Sequence, residues 1–200
     1  MLSRETRSSE TAVMASSGLY LILAVSAIIT CANAAATGKA ITAADIPATP
    51  AATTCKANLA AAMTQFAAGG IAAVTQVAGA TPSNYIYCLE YKPTAKDTAI
   101  FLLHFEPSYT NVPLGILSAN PATPQIAGYI DAAYVAAAGM KANGDYGLVT
   151  YPWDLSDRSN PAPATQKTSL IELFTKGTDS YMCGCGIATR APISTRRLLQ

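Results

Sequence analysis

Charge is scarce in this chain: 12% of its 200 residues are Asp, Glu, Lys or Arg, the net charge is +1, and there is a single histidine. The basic residues are scattered apart from Arg190, Arg196 and Arg197. No stripe exists that would track a phosphate backbone, which excludes nucleic acid as a partner. One histidine excludes metal centres built on several imidazoles. A Gly-x-Ser-x-Gly elbow is missing, and so is any Asn-x-Ser/Thr acceptor after residue 34. Nothing in the sequence marks a cofactor site.

What is there begins with residues 18–34, where the apolar run Leu19-Tyr20-Leu21-Ile22-Leu23-Ala24-Val25 closes on Ala32-Asn33-Ala34. Arg4 and Arg7 lie upstream, the core is too short to span a bilayer, and the exit is Ala-x-Ala. This reads as a secretory signal peptide over 1–34, with the mature chain starting at Ala35. Starting instead at Met14 gives the same product. A secreted or cell-surface protein is expected, with no transmembrane segment after cleavage.

Removing 34 residues from 200 leaves about 166, enough for one domain with a real core. Half of all residues are apolar, much of that fraction alanine, so the core is expected to form from closely approaching backbones. Modest burial per residue favours covalent staples. Cys31 departs with the leader, leaving Cys55, Cys88, Cys183 and Cys185 for an oxidising pathway and two disulfides. In an extended Cys183-Gly184-Cys185 both sulfurs project from one face, and bonding them to each other would close a tiny strained ring. The pattern favours one link from Cys55 and one from Cys88 to this pair, over a Cys55 to Cys88 bridge. A metal site on both thiolates and His104 lacks the usual structural zinc spacing.

Residues 35–53, with Pro47 and Pro50 among Ala and Thr, read as a flexible linker. Thr53 or Thr54 caps a predicted helix with Cys55, Leu59, Met63 and Phe66 at helical spacing and Gly69-Gly70 as its stop. Residues 71–77 fit either helix or strand. Alternation over 84–91 puts Tyr85, Tyr87, Leu89 and Tyr91 on one face of a strand and Ile86, Cys88 and Glu90 on the other. The apolar run 98–105 predicts a central strand covered on both faces, paired to the first as a hairpin. Thr123-Pro124 starts a second helix whose face repeats at Ile126, Ile130, Tyr134 and Ala138. Strands are predicted over 146–151, 169–174 and 181–188, with a turn at 176–179 and a long surface loop at 152–165. The fold class is therefore α+β: helices packed on an antiparallel sheet, in one domain over 54–189, with an untethered tail over 190–200.

Chemistry is thinly signalled. His104 lies in the most apolar strand and reads as a histidine hydrogen-bonded within or at the edge of the core. A hydrolase would have to use it with an acidic partner from the following loop. Glu106 with Asp154 or Asp157 lacks supporting spacing for a glycosidase pair. Asp154, Asp157 and Asn160 are explained by Asx turns as well as by weak calcium binding. Tyr146, Tyr151, Trp153 and the tyrosines of 84–91 fit an exposed aromatic surface and a filled core equally.

The cysteine-headed helix Thr54-Cys55-Lys56-Ala57-Asn58-Leu59, the strand Thr168-Ser169-Leu170-Ile171-Glu172-Leu173-Phe174 and the closing Met182-Cys183-Gly184-Cys185-Gly186 together resemble coccidian, Eimeria-type surface antigens. The resemblance implies a disulfide-stapled α/β/α sandwich related to the CAP superfamily. Family members usually carry three disulfides and a hydrophobic tail exchanged for a GPI anchor. Here there are four mature cysteines and the ending Thr195-Arg196-Arg197-Leu198-Leu199-Gln200. The histidine and glutamate tetrad of many CAP domains cannot be assembled from one histidine, so the resemblance implies a zinc-free, non-catalytic variant. The expected function is binding, as an antigen or adhesion-type protein, to a protein or glycan on a cell surface. The expected contact residues are Tyr151, Trp153, Asp154 and Asp157. A structural matrix component is a further alternative.

Overall fold

The computed structural model describes residues 36–81, 84–120, 124–153 and 165–190. Along the chain these form β1 (Thr37–Ile41), α1 (Pro50–Gly69), β2 (Ile86–Glu90), β3 (Phe101–Leu103), α2 (Leu114–Ala119), α3 (Pro124–Ala138), β4 (Tyr146–Trp153), β5 (Thr165–Lys176) and β6 (Asp179–Arg190), with short 3-10 turns between. The strands make one six-stranded sheet in the order β1-β4-β5-β6-β2-β3, every pairing antiparallel.

Strand periodicity sorts the core into two halves. On one face Tyr87, Leu89, Val149, Tyr151, Ile171 and Met182 pack with the buried side of α3. On the other Ile86, Cys88, Leu170, Phe174, Cys183 and Cys185 pack with Leu59 and Phe66 of α1. The expected antiparallel sheet with packed helices is thus present, with helices on both faces.

Each cystine ties an element to β6. Cys55 in the first turns of α1 joins Cys185, with Cα atoms 5.8 Å apart. Cys88 and Cys183 face each other across the β2–β6 ladder at 4.1 Å and are also joined. The two-residue spacing of the pair in β6 sends both sulfurs to the α1 face, as the sequence geometry predicts.

Several elements differ from expectation. Residues 35–53, read as a flexible linker, contain β1, which pairs with β4 from Thr37↔Thr150 to Ile41↔Tyr146. They also contain the true start of α1, where Thr49 caps by accepting from the Ala52 N–H at 3.2 Å and Pro50 takes the first turn. Residues 71–77 are a single 3-10 turn, Ile71–Ala73, and then irregular chain. The apolar run over 98–105 is not a central strand. It forms the edge strand β3, and its far side meets the returning chain: Asn111 N–H donates to the Phe101 carbonyl at 2.8 Å, and Ile100 bridges to Pro113. The returning chain and α2, which the periodicity did not announce, take the side of β3 where a central strand would have a second neighbour. On α3 the buried residues are Ile126, Tyr129, Ile130, Ala132, Ala133, Ala136 and Ala137, so the face is rotated away from Ala138. The β5–β6 turn falls at Gly177, φ 65°, as expected, and Arg190, assigned to the tail, pairs with Gln166.

Candidate functional site

At the end of the sheet where β4, β6 and β3 finish and β2 and β5 begin, aromatic side chains gather on the α3 face. Tyr129 of α3 is the hub: its ring centroid lies 5.3 Å from Tyr87 and 5.0 Å from Tyr151. Tyr85 continues the cluster to His104 at 4.9 Å and Phe105 at 5.6 Å, and Trp153 flanks Tyr151 at 6.1 Å. Edge-to-face pairs dominate, as ring quadrupoles prefer.

This arrangement separates the expected contact residues. Tyr151 is 3% exposed, a core residue that a docking partner cannot touch, because Tyr129 and Trp153 close over it. Tyr85 and Tyr87 are buried too, and Tyr146 points to the opposite face. Trp153 remains half-buried at the rim, in the last pair of the β4–β5 ladder, so residues 152, 153 and 165, expected in a surface loop, belong to strands, and the Thr165 hydroxyl donates to the Trp153 carbonyl. Asp154 and Asp157 lie outside the described residues. Beside the rim stands Phe105, 40% exposed, which sequence periodicity had assigned to a buried strand.

Sequence reasoning also missed Lys167. It precedes the predicted 169–174 strand, yet shares the parity of Ser169 and Ile171 and so faces α3. Its ammonium lies 4.0 Å from the Trp153 ring and 5.0 Å from Tyr85, with the residue 1% exposed. Burial pulls its pKa down to about 8, and the two ring faces stabilise the charge it keeps below that.

His104 is held by two contacts. The Glu106 N–H donates to Nδ1 at 3.0 Å, and Nε2 lies 2.9 Å from the Tyr85 hydroxyl. An acceptor Nδ1 places the proton on Nε2. Burial depresses the pKa to about 4, so the ring is neutral at physiological pH. The Glu106 carboxylate accepts from the Ser108 hydroxyl at 3.1 Å and does not meet the imidazole, whose hydrogen bond to Glu106 comes from the backbone N–H. The expected position at the edge of the core is what the structure has.

The hydroxyls of Tyr87, Tyr129 and Ser169 approach one another without any reaching hydrogen-bond geometry. Burial pushes the Tyr87 phenol up to about 12. A cavity of about 10 Å³ opens among Tyr87, Phe101, Tyr129 and Tyr151, at the threshold for one water molecule. It is too small for a substrate. Among the described residues no group of three or more His, Cys, Asp or Glu side chains is placed to hold a metal ion. Nor is any helix there long and apolar enough to cross a membrane. Comparison of the chain with protein-family models, curated proteins and solved structures finds no match.

Proposed function

We propose that this chain is an exported, disulfide-stapled, non-enzymatic binding protein of the surface-antigen or adhesion type. Its contact surface is the aromatic rim formed by Trp153, Phe105 and the paired ends of β4 and β5, and it meets a protein or glycan on a cell surface. The observation that carries this reading is the rim itself: two large aromatic side chains reach solvent while the rings beneath them are locked in place. Rigid aromatics of this kind bind at low entropic cost and dominate interface energetics. Support for binding over catalysis comes from His104, whose ring nitrogens are engaged by Tyr85 and Glu106 and whose proton affinity is low. Two cystines support an extracellular setting.

The test uses fluorescently labelled mature protein on a glycan array and on cultured epithelial cells. Phe105→Ala and Trp153→Ala are each expected to weaken binding at least fivefold, with Phe105→Ala leaving the melting temperature within a few degrees. Val135→Ser, on the outer side of α3 at 65% exposure, is the control and should bind as wild type. Binding unchanged by both rim substitutions, or absent from every cell and glycan, removes the proposal.

A further inference from the structure

Strand β6 is paired on both sides only over part of its length. The β2 ladder runs from Glu90↔Tyr181 to Ile86↔Cys185 and stops, whereas the β5 ladder continues to Gln166↔Arg190. Before β2 the chain turns away: Asn84 N–H donates to the Thr81 carbonyl at 3.1 Å and the Thr81 N–H donates to Asn84 Oδ1 at 2.7 Å. Among the described residues no strand therefore faces residues 187–190 on that side. Backbone donors and acceptors in such an edge form a template for another chain.

Along this edge lies a groove of about 390 Å³. Its wall is Ala51, Thr54 and Asn58 of α1, its floor Gly186, Ala188 and Thr189 of β6, and Asn84 stands where β2 departs. Ala51, Gly186 and Ala188 have too little side chain to hold off an incoming backbone. Asn58 offers an amide that both donates and accepts, whereas Asn84, whose Oδ1 accepts from the Thr81 N–H and hydroxyl, offers its amide nitrogen as a donor. The Cys55–Cys185 cystine, itself part of the lining, joins wall to floor and holds the groove formed before anything binds.

We propose that this groove binds an extended, uncharged peptide segment of a partner protein, which adds to β6 as a further strand. Strand addition explains the combination of an unpaired edge with small walls, because main-chain hydrogen bonds supply affinity and side-chain size supplies selection. The occupant is uncharged because none of the lining residues is charged, and a buried charge without a partner is costly. Four edge residues, 187–190, span roughly 13 Å at the rise of a strand, so about four peptide residues fill it. This site is on the α1 face, separate from the aromatic rim.

The probe is a positional library of end-capped octapeptides restricted to Ala, Ser, Thr, Val, Asn and Gln, added to 15N-labelled full-length mature protein. Library members should shift the amide resonances of Gly186, Ile187, Ala188 and Thr189 and slow their hydrogen exchange. N-methylating alternate backbone nitrogens of the best peptide should weaken it at least tenfold. Ala51→Arg, an exposed position on α1, should do the same while Trp153→Ala has no effect, and Asn58→Lys repeats the block from the middle of the wall. The proposal is overturned if no library member perturbs these amides at millimolar concentration. It is equally overturned if the N-methylated peptide binds as well as its parent, or if well-folded Ala51→Arg and Asn58→Lys proteins both bind normally.

Discussion

Glu172 and His104 lie on opposite faces of the sheet, and burial moves their proton affinities in opposite directions. Glu172, on the α1 face with Oε2 unpartnered among the described residues, has its pKa raised to about 7 from the usual 4.5. Between those values the folded chain holds a proton that the unfolded chain has lost, so stability falls as pH rises from about 4.5 to about 7. His104, depressed to about 4 from 6.5, does the reverse: the unfolded chain binds the extra proton, and stability is lost as pH falls through that window. Each slope is at most about 1.4 kcal/mol per pH unit, and where the windows overlap they oppose. Urea unfolding of the wild type should therefore vary little between pH 4.5 and 6.5. Glu172→Gln should gain stability with rising pH over that range and His104→Gln should lose it. Three parallel profiles would refute the assignment. Gly184 is a second residue-scale test, since a Cβ there would stand 2.5 Å from the Tyr87 hydroxyl oxygen and 2.8 Å from Ile171 Cγ2. Gly184→Ala should cost about 2 kcal/mol through displacement of the Tyr87 ring, read as a lower urea midpoint. A midpoint equal to wild type would mean that the ring moves aside without cost.

At the scale of elements, the contact between α3 and the β1–β4 edge is made by backbone as much as by side chains. A Cβ on Gly38 would fall 1.7 Å from the Ala132 carbonyl oxygen, and one on Gly147 3.0 Å from Ala136 Cβ. The helix presents Ala132, Ala133, Ala136 and Ala137 to that surface, as the alanine-rich composition anticipates. Gly38→Ala should then push β1 off α3, costing about 3 kcal/mol and raising amide exchange across 37–41. Normal protection there would contradict so close a packing. Local chemistry made α1, β2, the β5–β6 hairpin and the joining of Cys55 and Cys88 to the Cys183/Cys185 pair legible, because apolar spacing, alternation and a Gly turn are written within a few residues, while the partner of each cysteine within that pair needed the β2–β6 register. β1 was illegible for the opposite reason. Thr37, Gly38, Lys39 and Ala40 have no strand pattern of their own, and they are ordered by pairing with β4 and by the space beneath α3. The edge position of β3 depended on a distant loop returning over Phe101. The rim was half legible: Trp153 stood out as the sole tryptophan, whereas Tyr151 and Lys167 needed the register to show that they point inward.

At the scale of the whole molecule, β6 holds the layers together. One cystine fastens α1 to it and the other fastens β2, across sequence separations of 130 and 95 residues. The loops are nested, so the two contributions are not independent. With Cys55–Cys185 closed, worth about 5 kcal/mol in the chain-entropy account, joining Cys88 to Cys183 closes only 33 residues on one side (88 − 55) and 2 on the other (185 − 183). That second closure is worth about 4 kcal/mol. Both proposed surfaces depend on these links: the groove wall is fixed by the first, and the aromatic end by the strand that the second clamps. The whole account assumes an oxidising route out of the cytosol, and mass spectrometry of unreduced tryptic digests from the native source tests it most directly. The expected product is one cluster of three peptides, carrying Cys55, Cys88 and the Cys183/Cys185 segment, with no free thiol. Electron-transfer fragmentation between Cys183 and Cys185 should place Cys88 on the former and Cys55 on the latter. Free cysteines, or a two-peptide product joining Cys55 to Cys88, would contradict it.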